Sequence, residues 1–436
     1  MGIALLKKLN THLPDSVKIA FGPIIRSKLI NNTVFKAQMD RLYQMDIQTA
    51  EEIEKAKLVS LKEILIHAYE HTKYYKILFD KCGFDVYSFK DLKEFEKIPV
   101  LKKSDIIENF QELQADNIND YYSATTGGST GSPLKILLDR ESIYKEKAFI
   151  YHFWEKHGYD YKSSKLASFR GTDFGGKICK ANPLYNEIQL NPCNINADTI
   201  EEYYNKMNKF GVEFLHGFPS AIYSFCKFAK EAKLDVKSKY KAAFFISENV
   251  YDYQRKFIEE VLGLKTFAFY GHSERAVFAE QVSEEGYQFN PAYCFWELSK
   301  DGSDNIICTG FINRKMPLIR YELDDTAVKI GNIYKIEGHR DGVIYGRNGE
   351  IISAAMLEVH STILDKIANY QFVQNETDVL KVLAVPFKHL SKEELNSVRE
   401  LFQTKVGDAV RVEAEEVEEI QLTQRGKFKL IVQNCK

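Results

Sequence analysis

The sequence has no excess of charge, no paired cysteine motif and no long uninterrupted hydrophobic run. Its 436 residues carry a net charge of −2 at pH 7, which argues against a dedicated DNA- or RNA-binding protein. The seven cysteines are scattered and odd in number, without a C-x-x-C pair. This pattern favours a reducing compartment and argues against a structural zinc site.

Segments that would enter or cross a membrane are also missing. No segment reaches the roughly 18 apolar residues of a membrane span, and Lys7 and Lys8 interrupt the N-terminal apolar residues where a signal peptide would need a hydrophobic core. We therefore expect a cytoplasmic protein without a transmembrane segment. The apolar residues of Met1–Leu6, Val17–Phe21 and Ile24–Ile30 are compatible with an amphipathic helix, which we expect to pack on its own domain rather than on a membrane.

Length and periodicity predict a multidomain α/β protein. A chain of 436 residues exceeds one ordinary core, so two or three domains are expected. Helical spacing of apolar residues alternates with short β-compatible runs, which indicates α/β layers. The predicted helices cover 50–79, 142–156, 220–232 and 251–262, and the predicted strands cover 134–138, 213–215, 242–246, 266–269 and 305–308.

The C-terminal hundred residues read as a separate, compact α+β unit. We place the boundary between a large domain of residues 1–338 and a small domain of residues 339–436. Within the small domain the sequence predicts helices at 354–364 and 392–406, and strands at 343–345, 370–374, 379–385 and 410–413.

The run T-T-G-G-S-T-G-S-P at residues 125–133 is the strongest functional signal. Its glycines let backbone N–H groups turn toward an anion, and its hydroxyl groups add donors, so it reads as a cradle for the phosphates of ATP. It matches neither the Walker loop nor the G-x-G-x-x-G of a dinucleotide fold. An ordinary surface loop is the alternative for such a run taken alone.

Four further motifs follow in order. Tyr270-Gly271-His272-Ser273-Glu274 comes directly after an apolar run, where strand ends of α/β proteins bind ligands, and Glu274 could hold a Mg²⁺ ion. Residues 317–325, P-L-I-R-Y-E-L-D-D, are compatible with either a surface ion-pair cluster or an aspartate that binds the two hydroxyl groups of a ribose. Residues 338–342 and 425–429, G-H-R-D-G and R-G-K-F-K, are polar and by themselves compatible with solvated surface.

Together these motifs resemble the adenylate-forming superfamily of acyl-CoA synthetases, peptide-synthetase adenylation domains and luciferases. The nearest likeness is to the phenylacetate-CoA ligase branch and its CapK-like relatives in capsular polysaccharide biosynthesis, with which Ile98–Asp105 also agrees. The resemblance extends from about Leu61 to Asn434, apart from residues 159–207. It implies a large α/β adenylate-forming domain followed by a small, mobile C-terminal domain.

The resemblance also implies roles for individual residues. Lys427 and Glu274 would be catalytic, Glu274 through Mg²⁺, and Asp341 would be the hinge of the small domain. An acid pocket would include His216, Phe218 and His272, although both histidines could instead be structural. The nucleotide site would consist of Thr126, Gly127, Gly128, Ser129, Thr130, Gly131, Ser247, Glu248, Tyr270, Asp325 and Arg340.

Some positions depart from the family pattern. Ser132 replaces a common lysine of the loop, Asp324 and Leu323 replace the usual residues before the ribose aspartate, and His339 stands where an arginine is typical, so either His339 or Arg340 would reach the ribose. Lys429 is a second candidate for the catalytic lysine.

The implied activity is ATP-dependent formation of an acyl-adenylate from a small carboxylic acid, with release of pyrophosphate and transfer to coenzyme A. Transfer to a sugar amine or hydroxyl without coenzyme A is the alternative. A non-catalytic nucleotide-binding protein is a third interpretation. The sequence leaves a homodimer open and names neither the acid nor the acceptor.

Overall fold

The computed structural model describes residues 22–89, 92–125, 134–170, 174, 177–284, 286–339, 342–357, 359, 361–423 and 427–435. These residues form two compact units. The parallel-sheet unit contains the described residues of Met1–Arg26, Ser163–Ala268 and Arg340–Lys436. The antiparallel-sheet unit contains those of Ser27–Lys162 and Phe269–His339. The predicted boundary at residues 338 and 339 remains a prediction.

Parallel strands form the main sheet of the parallel-sheet unit. Short apolar runs such as Ala242–Phe245 are buried throughout, as expected for strands covered on both faces. The strand order is Lys265–Gly271, Ala242–Phe245, Phe214–Gly217, Leu166–Phe169, Glu187–Leu190 and Cys179–Asn182, of which the last is antiparallel. The α-helices that accompany them are Ile200–Phe210, Pro219–Glu231 and Asp252–Leu262, with 3₁₀ turns at Pro183–Tyr185 and Pro192–Asn194.

The C-terminal segment of the same unit folds as an α+β module with its own hydrophobic core. Its four-stranded sheet has the order Arg411–Glu416, Val379–Pro386, Ile367–Glu376 and Ile431–Gln433. The α-helix Lys392–Val406 begins with a capping box between Ser391 and Glu394. A hairpin of Val343–Tyr345 and Ile351–Ser353 precedes this sheet.

The helix predicted at residues 354–364 was wrong. The described residues there form two 3₁₀ turns, Ala354–Leu357 and Thr362–Lys366. Ser361 is fully extended, with φ −156° and ψ 142°. The β-branched residues Val359, Thr362 and Ile363 lower the helix propensity of this stretch.

The antiparallel-sheet unit has a meander as its centre. The last residues of Lys265–Gly271 pair with Phe278–Ser283. The order then continues as Gly286–Phe289, Ile333–His339, Tyr321–Ile330, Asn305–Gly310 and Cys294–Leu298. Its helices are the C-terminal part of Gly22–Ile30, then Thr33–Asp46, Ala50–His71, Lys73–Cys82, Leu92–Phe95, Lys103–Glu108 and Glu141–Glu155.

The strand predicted at residues 134–138 is confirmed as Lys135–Asp139. Tyr121–Thr125 and Lys135–Asp139 form an antiparallel pair on either side of the glycine-rich run. Leu101, within the stretch Ile98–Asp105, forms a bridge with Tyr321. Within the described ranges, no helix is long and apolar enough to cross a membrane.

Candidate active site

Asp325 lies inside the antiparallel-sheet unit on the strand Tyr321–Ile330. Alternation along this strand buries Tyr321, Leu323 and Asp325 and exposes Asp324. The backbone of His339 lies opposite Asp325 in the neighbouring strand. The two adjacent aspartates of the motif therefore have different environments, and Asp325 is the one held within the protein.

Tyr270 and His272 converge on Asp325. The Tyr270 hydroxyl donates to Asp325 Oδ2 at 2.7 Å, and His272 Nε2 lies 2.7 Å from the same oxygen and 2.7 Å from the Tyr270 oxygen. Because a carboxylate only accepts, His272 carries a proton on Nε2. Burial, followed by the charge of Asp325, raises the pKa of Tyr270 well above its usual value, so the phenol remains a donor.

Glu274 lies beside this cluster. One of its oxygens is 3.9 Å from His272 Nδ1, and the Tyr321 hydroxyl donates to the other at 3.5 Å. Glu274 is 7% exposed. Among the described residues there is no group of three or more His, Cys, Asp or Glu side chains that could hold a metal. A single carboxylate suits a Mg²⁺ ion that takes most of its ligands from nucleotide phosphates and water.

Arg320 of the same motif has a structural role. Its guanidinium pairs with Glu297 at 3.0 Å and donates to the carbonyls of Glu96 and Ile98 at 3.0 and 2.5 Å. Arg320 itself has a left-handed backbone, with φ +48°. The sequence of residues 317–325 was compatible with an ion-pair cluster or with a ribose site. The motif contains an ion pair at Arg320, and Asp325 is the candidate for the ribose.

The parallel-sheet unit gathers the other candidates near the carboxyl end of its sheet. His216 is buried on the strand Phe214–Gly217 and donates through Nδ1 to the carbonyl of Phe244 at 2.9 Å. Gly217 adopts φ +141°, and a Cβ there would lie 2.4 Å from the Phe169 carbonyl oxygen. Only glycine fits this close approach, after which Phe218 leads into the helix Pro219–Glu231.

Ser247 and Glu248 follow the next strand, Ala242–Phe245. Ser247 has a left-handed backbone, with φ +70°, which is uncommon for a residue other than glycine. Glu248 accepts the backbone N–H of Ser220 at 3.2 Å and that of Phe428 at 2.7 Å. Burial raises the pKa of Glu248 to about 7, opposed by these hydrogen bonds and by the charge of Lys427.

Lys427 is hydrogen-bonded to Thr423. Thr423 N–H donates to the Lys427 carbonyl at 2.9 Å, and Lys427 N–H donates to Thr423 Oγ1 at 3.0 Å. Leu422 and Phe428 form a bridge just outside this pair. We call residues 421–423 and 427–430 the lysine hairpin; Lys429 lies on it as well.

The structure thus brings predicted residues together in two groups. Tyr270, His272, Glu274 and Asp325 meet in the antiparallel-sheet unit, while Glu248 contacts the residue after Lys427 in the other. Thr126, Gly127, Gly128, Ser129, Thr130, Gly131, Arg340 and Asp341 lie outside the described residues.

Sequence reasoning missed Tyr321, Ser220 and Gln371. Tyr321 contacts Glu274, and its place next to Arg320 in the motif was the signal that could have indicated it. Ser220 and Gln371 act on Glu248 and on the lysine hairpin, respectively, across large sequence separations. No local pattern marks such contacts.

Comparisons with known proteins agree with this architecture. Residues 344–434 match the family model described as the CapK C-terminal domain. Protein CapK of Staphylococcus aureus is 24% identical over 364 residues, which cover 78% of this chain and 80% of that protein.

Solved structures share the fold. The chain resembles 2-hydroxyisobutyryl-CoA ligase in the postadenylation state with 2-HIB-AMP, with a TM-score of 0.67, 17% identity, and coverage of 88% of this chain and 90% of that one. The same ligase with 2-HIB-AMP and CoA in the thioesterification state gives a TM-score of 0.55, 19% identity, and coverage of 89% and 91%. The predicted resemblance and the α/β fold class are confirmed.

Proposed function

We propose that this chain is an ATP-dependent acid ligase that converts a carboxylic acid into an acyl-adenylate and releases pyrophosphate. The observation that carries the proposal is the partly buried cluster in which Tyr270 and His272 hold Asp325 beside Glu274. The fold in which this cluster lies is that of a CoA ligase solved with an acyl-adenylate, which supports the proposal.

Each residue has a distinct task in this reaction. Asp325 accepts hydrogen bonds from the ribose hydroxyls, with its orientation fixed by Tyr270 and His272. Glu274 would hold a Mg²⁺ ion, which when bound neutralises phosphate charge. Lys427 places an ammonium group where negative charge gathers as the acid attacks the α-phosphorus. The glycine-rich run at residues 126–131 would bind the phosphates, and Ser247 would border the adenine.

For the second step we propose transfer of the acyl group to coenzyme A. The thiol sulfur bonds to the acyl carbon as the bond to the AMP oxygen breaks, so AMP leaves and the thiol proton passes to solvent. Asp341 would be the hinge of a mobile domain of residues 339–436, Arg340 or His339 would contact the ribose, and His216, Phe218 and His272 would border the acid. A cytoplasmic location and a homodimer remain predictions.

Transfer to a sugar amine or hydroxyl is the second candidate. It is favoured by the match of residues 344–434 to the CapK C-terminal domain and by the relative named CapK, because the CapK-like branch is linked to surface polysaccharides. Product analysis by mass spectrometry with and without coenzyme A separates the two. A thioester supports the first acceptor, and an acylated sugar formed without coenzyme A supports the second.

The adenylation step is tested by acid-dependent exchange of labelled pyrophosphate into ATP across a panel of carboxylic acids. We expect exchange with wild-type protein in the presence of Mg²⁺, and a loss of about 10²–10³-fold in Lys427→Ala and Glu274→Ala, the size seen when one transition-state donor is removed. Lys429→Ala removes the second candidate lysine from the same segment, and its retention of exchange would assign the role to Lys427. Undiminished exchange in both site variants would refute the assignment.

A further inference from the structure

Glu248 joins two distant parts of the parallel-sheet unit. Its two carboxylate oxygens accept from the backbone of Ser220, at the start of a helix, and of Phe428, in the lysine hairpin. A carboxyl group can accept hydrogen bonds in either protonation state. Because the Phe428 N–H is part of the peptide unit that follows Lys427, Glu248 fixes the backbone from which the Lys427 side chain extends.

The opposite side of the lysine hairpin is held by Gln371. This residue is 0% exposed, and its Nε2 donates to the carbonyls of Gln421 and Lys429 at 2.9 and 2.8 Å. Its Oε1 accepts the Gln421 N–H at 3.1 Å. The hairpin is therefore anchored to its own module by Gln371 and to the main sheet by Glu248.

The helix Pro219–Glu231 extends this contact along one face. Ser220, Ser224 and Lys227 are four and three residues apart and so share a face. Ser224 Oγ donates to Asn369 Oδ1 at 3.1 Å, and Lys227 Nζ donates to the carbonyls of Leu364 and Ile367 at 3.0 and 2.6 Å. All three acceptors belong to the C-terminal module.

Lys227 is an unusual residue for such a contact because its ammonium is enclosed. Its Nζ lies 5.4, 5.7 and 5.8 Å from the ring centroids of Tyr223, Phe257 and Phe387, within the range of cation–π attraction. Burial lowers the pKa of Lys227 to about 8. This face of the helix is therefore a specific docking surface for the C-terminal module rather than a general apolar contact.

We propose that Glu248 is a positioning residue that seats the lysine hairpin and thereby aims Lys427 during adenylation, with the helix face of Ser224 and Lys227 holding the module in register. This inference rests on the proposed function of Lys427. It gives Glu248 a role distinct from the nucleotide contact that the resemblance implies, since both of its oxygens accept backbone N–H groups.

The test is a double-mutant cycle between Glu248 and Lys427, measured as pyrophosphate exchange. We expect Glu248→Ala to lower the turnover number about tenfold or more, as misplacement of a reacting group does, with Glu248→Gln intermediate. In the Lys427→Ala background the same changes should have less than about a twofold effect, because residues that act through one another are not additive. Equal effects in both backgrounds would overturn the positioning role.

A second measurement needs no activity. Amide hydrogen exchange of residues 427–430 in the full-length protein without substrates should rise in Glu248→Ala and stay at the wild-type value in Glu260→Ala, whose side chain is 75% exposed. Unchanged exchange in Glu248→Ala would show that Glu248 does not seat the hairpin. If wild-type protein activates no acid, the proposed function fails, while this exchange experiment still decides whether Glu248 seats the hairpin.

Discussion

The two groups of candidate residues are built in different ways. Around Asp325, side chains bond to side chains, so the identity of Tyr270 and His272 determines the arrangement. Around Lys427, the contacts run from Glu248 and Gln371 to backbone groups, so the position of the chain is fixed whatever side chain it carries. The arrangement around Asp325 determines which groups a ligand would contact. The arrangement around Lys427 determines where the backbone of the lysine hairpin lies, and therefore where the Lys427 side chain begins.

This difference predicts different responses to substitution. A change within the Asp325 cluster leaves a buried donor without its acceptor, and such a loss is larger than the net value of an ordinary hydrogen bond. A change in the anchors of the lysine hairpin leaves the side chain of Lys427 intact and alters only its location. Binding of ATP should therefore report on the first group, and turnover on the second.

The largest effect is expected at Asp325. Asp325→Asn retains the size of the side chain but replaces one carboxylate oxygen with an NH₂ donor. The group that faces Tyr270 and His272 then no longer only accepts hydrogen bonds. We expect the Kd for ATP, measured by calorimetry, to rise by about ten- to a hundredfold, since a hydrogen bond to a charged group contributes about 1.5–3 kcal/mol.

The matched control is Asp324→Asn, on the exposed side of the same strand. It removes the same charge from the adjacent position, so it should change the affinity less than about twofold, as is typical of surface charges. Equal losses in the two variants would show that charge in general, rather than the Asp325 cluster, governs ATP binding.

An intermediate effect is expected at Lys227. Lys227→Met retains most of the volume and removes the donor to the carbonyls of Leu364 and Ile367. We expect the free energy of unfolding, from urea denaturation, to fall by about 1–3 kcal/mol, the cost of leaving buried acceptors unpaired. Lys230→Met, at a side chain that is 58% exposed, is the control and should change it by less than about 0.5 kcal/mol.

The smallest effect is a pH dependence of the lysine hairpin. Burial raises the pKa of Glu248 from its usual 4.5 to about 7 in the seated state. A group whose pKa is raised in the folded state contributes fully to the stability of that state at pH values below its unfolded pKa. This stabilisation is lost as the pH rises through the folded pKa. We expect protection of residues 427–430, corrected for intrinsic exchange, to decline between pH 5 and 8, and Glu248→Gln to abolish the decline.

The sequence allowed correct predictions of those elements that are determined by interactions between residues close together in the chain. Helical periodicity correctly located helices such as Lys392–Val406 and Ala50–His71, because their caps and apolar stripes are local features. The four-residue strand Leu166–Phe169 was not predicted, since a short apolar run has no distinguishing period. The helix predicted at residues 354–364 was wrong because local turns and β-branched residues outweighed its apolar spacing.

The candidate site shows the same limit. Tyr270, Glu274 and Asp325 were singled out by ordered motifs, but the strands of Tyr270 and Asp325 are not neighbours in the sheet, so no pairing pattern indicates their convergence. The distinction between Asp324 and Asp325 by burial followed from alternation along one strand. The bond between Glu248 and Phe428 joins residues 180 positions apart, and no sequence pattern indicates it.

The central claim is that the acid attacks the α-phosphorus of ATP, and oxygen labelling tests it most directly. A carboxylic acid labelled with ¹⁸O at both oxygens, found by the exchange screen, is turned over by the wild-type protein with ATP and coenzyme A, and the AMP is analysed by mass spectrometry. The account predicts that each AMP carries one ¹⁸O atom from the acid. Unlabelled AMP, or ADP as the nucleotide product, would contradict it.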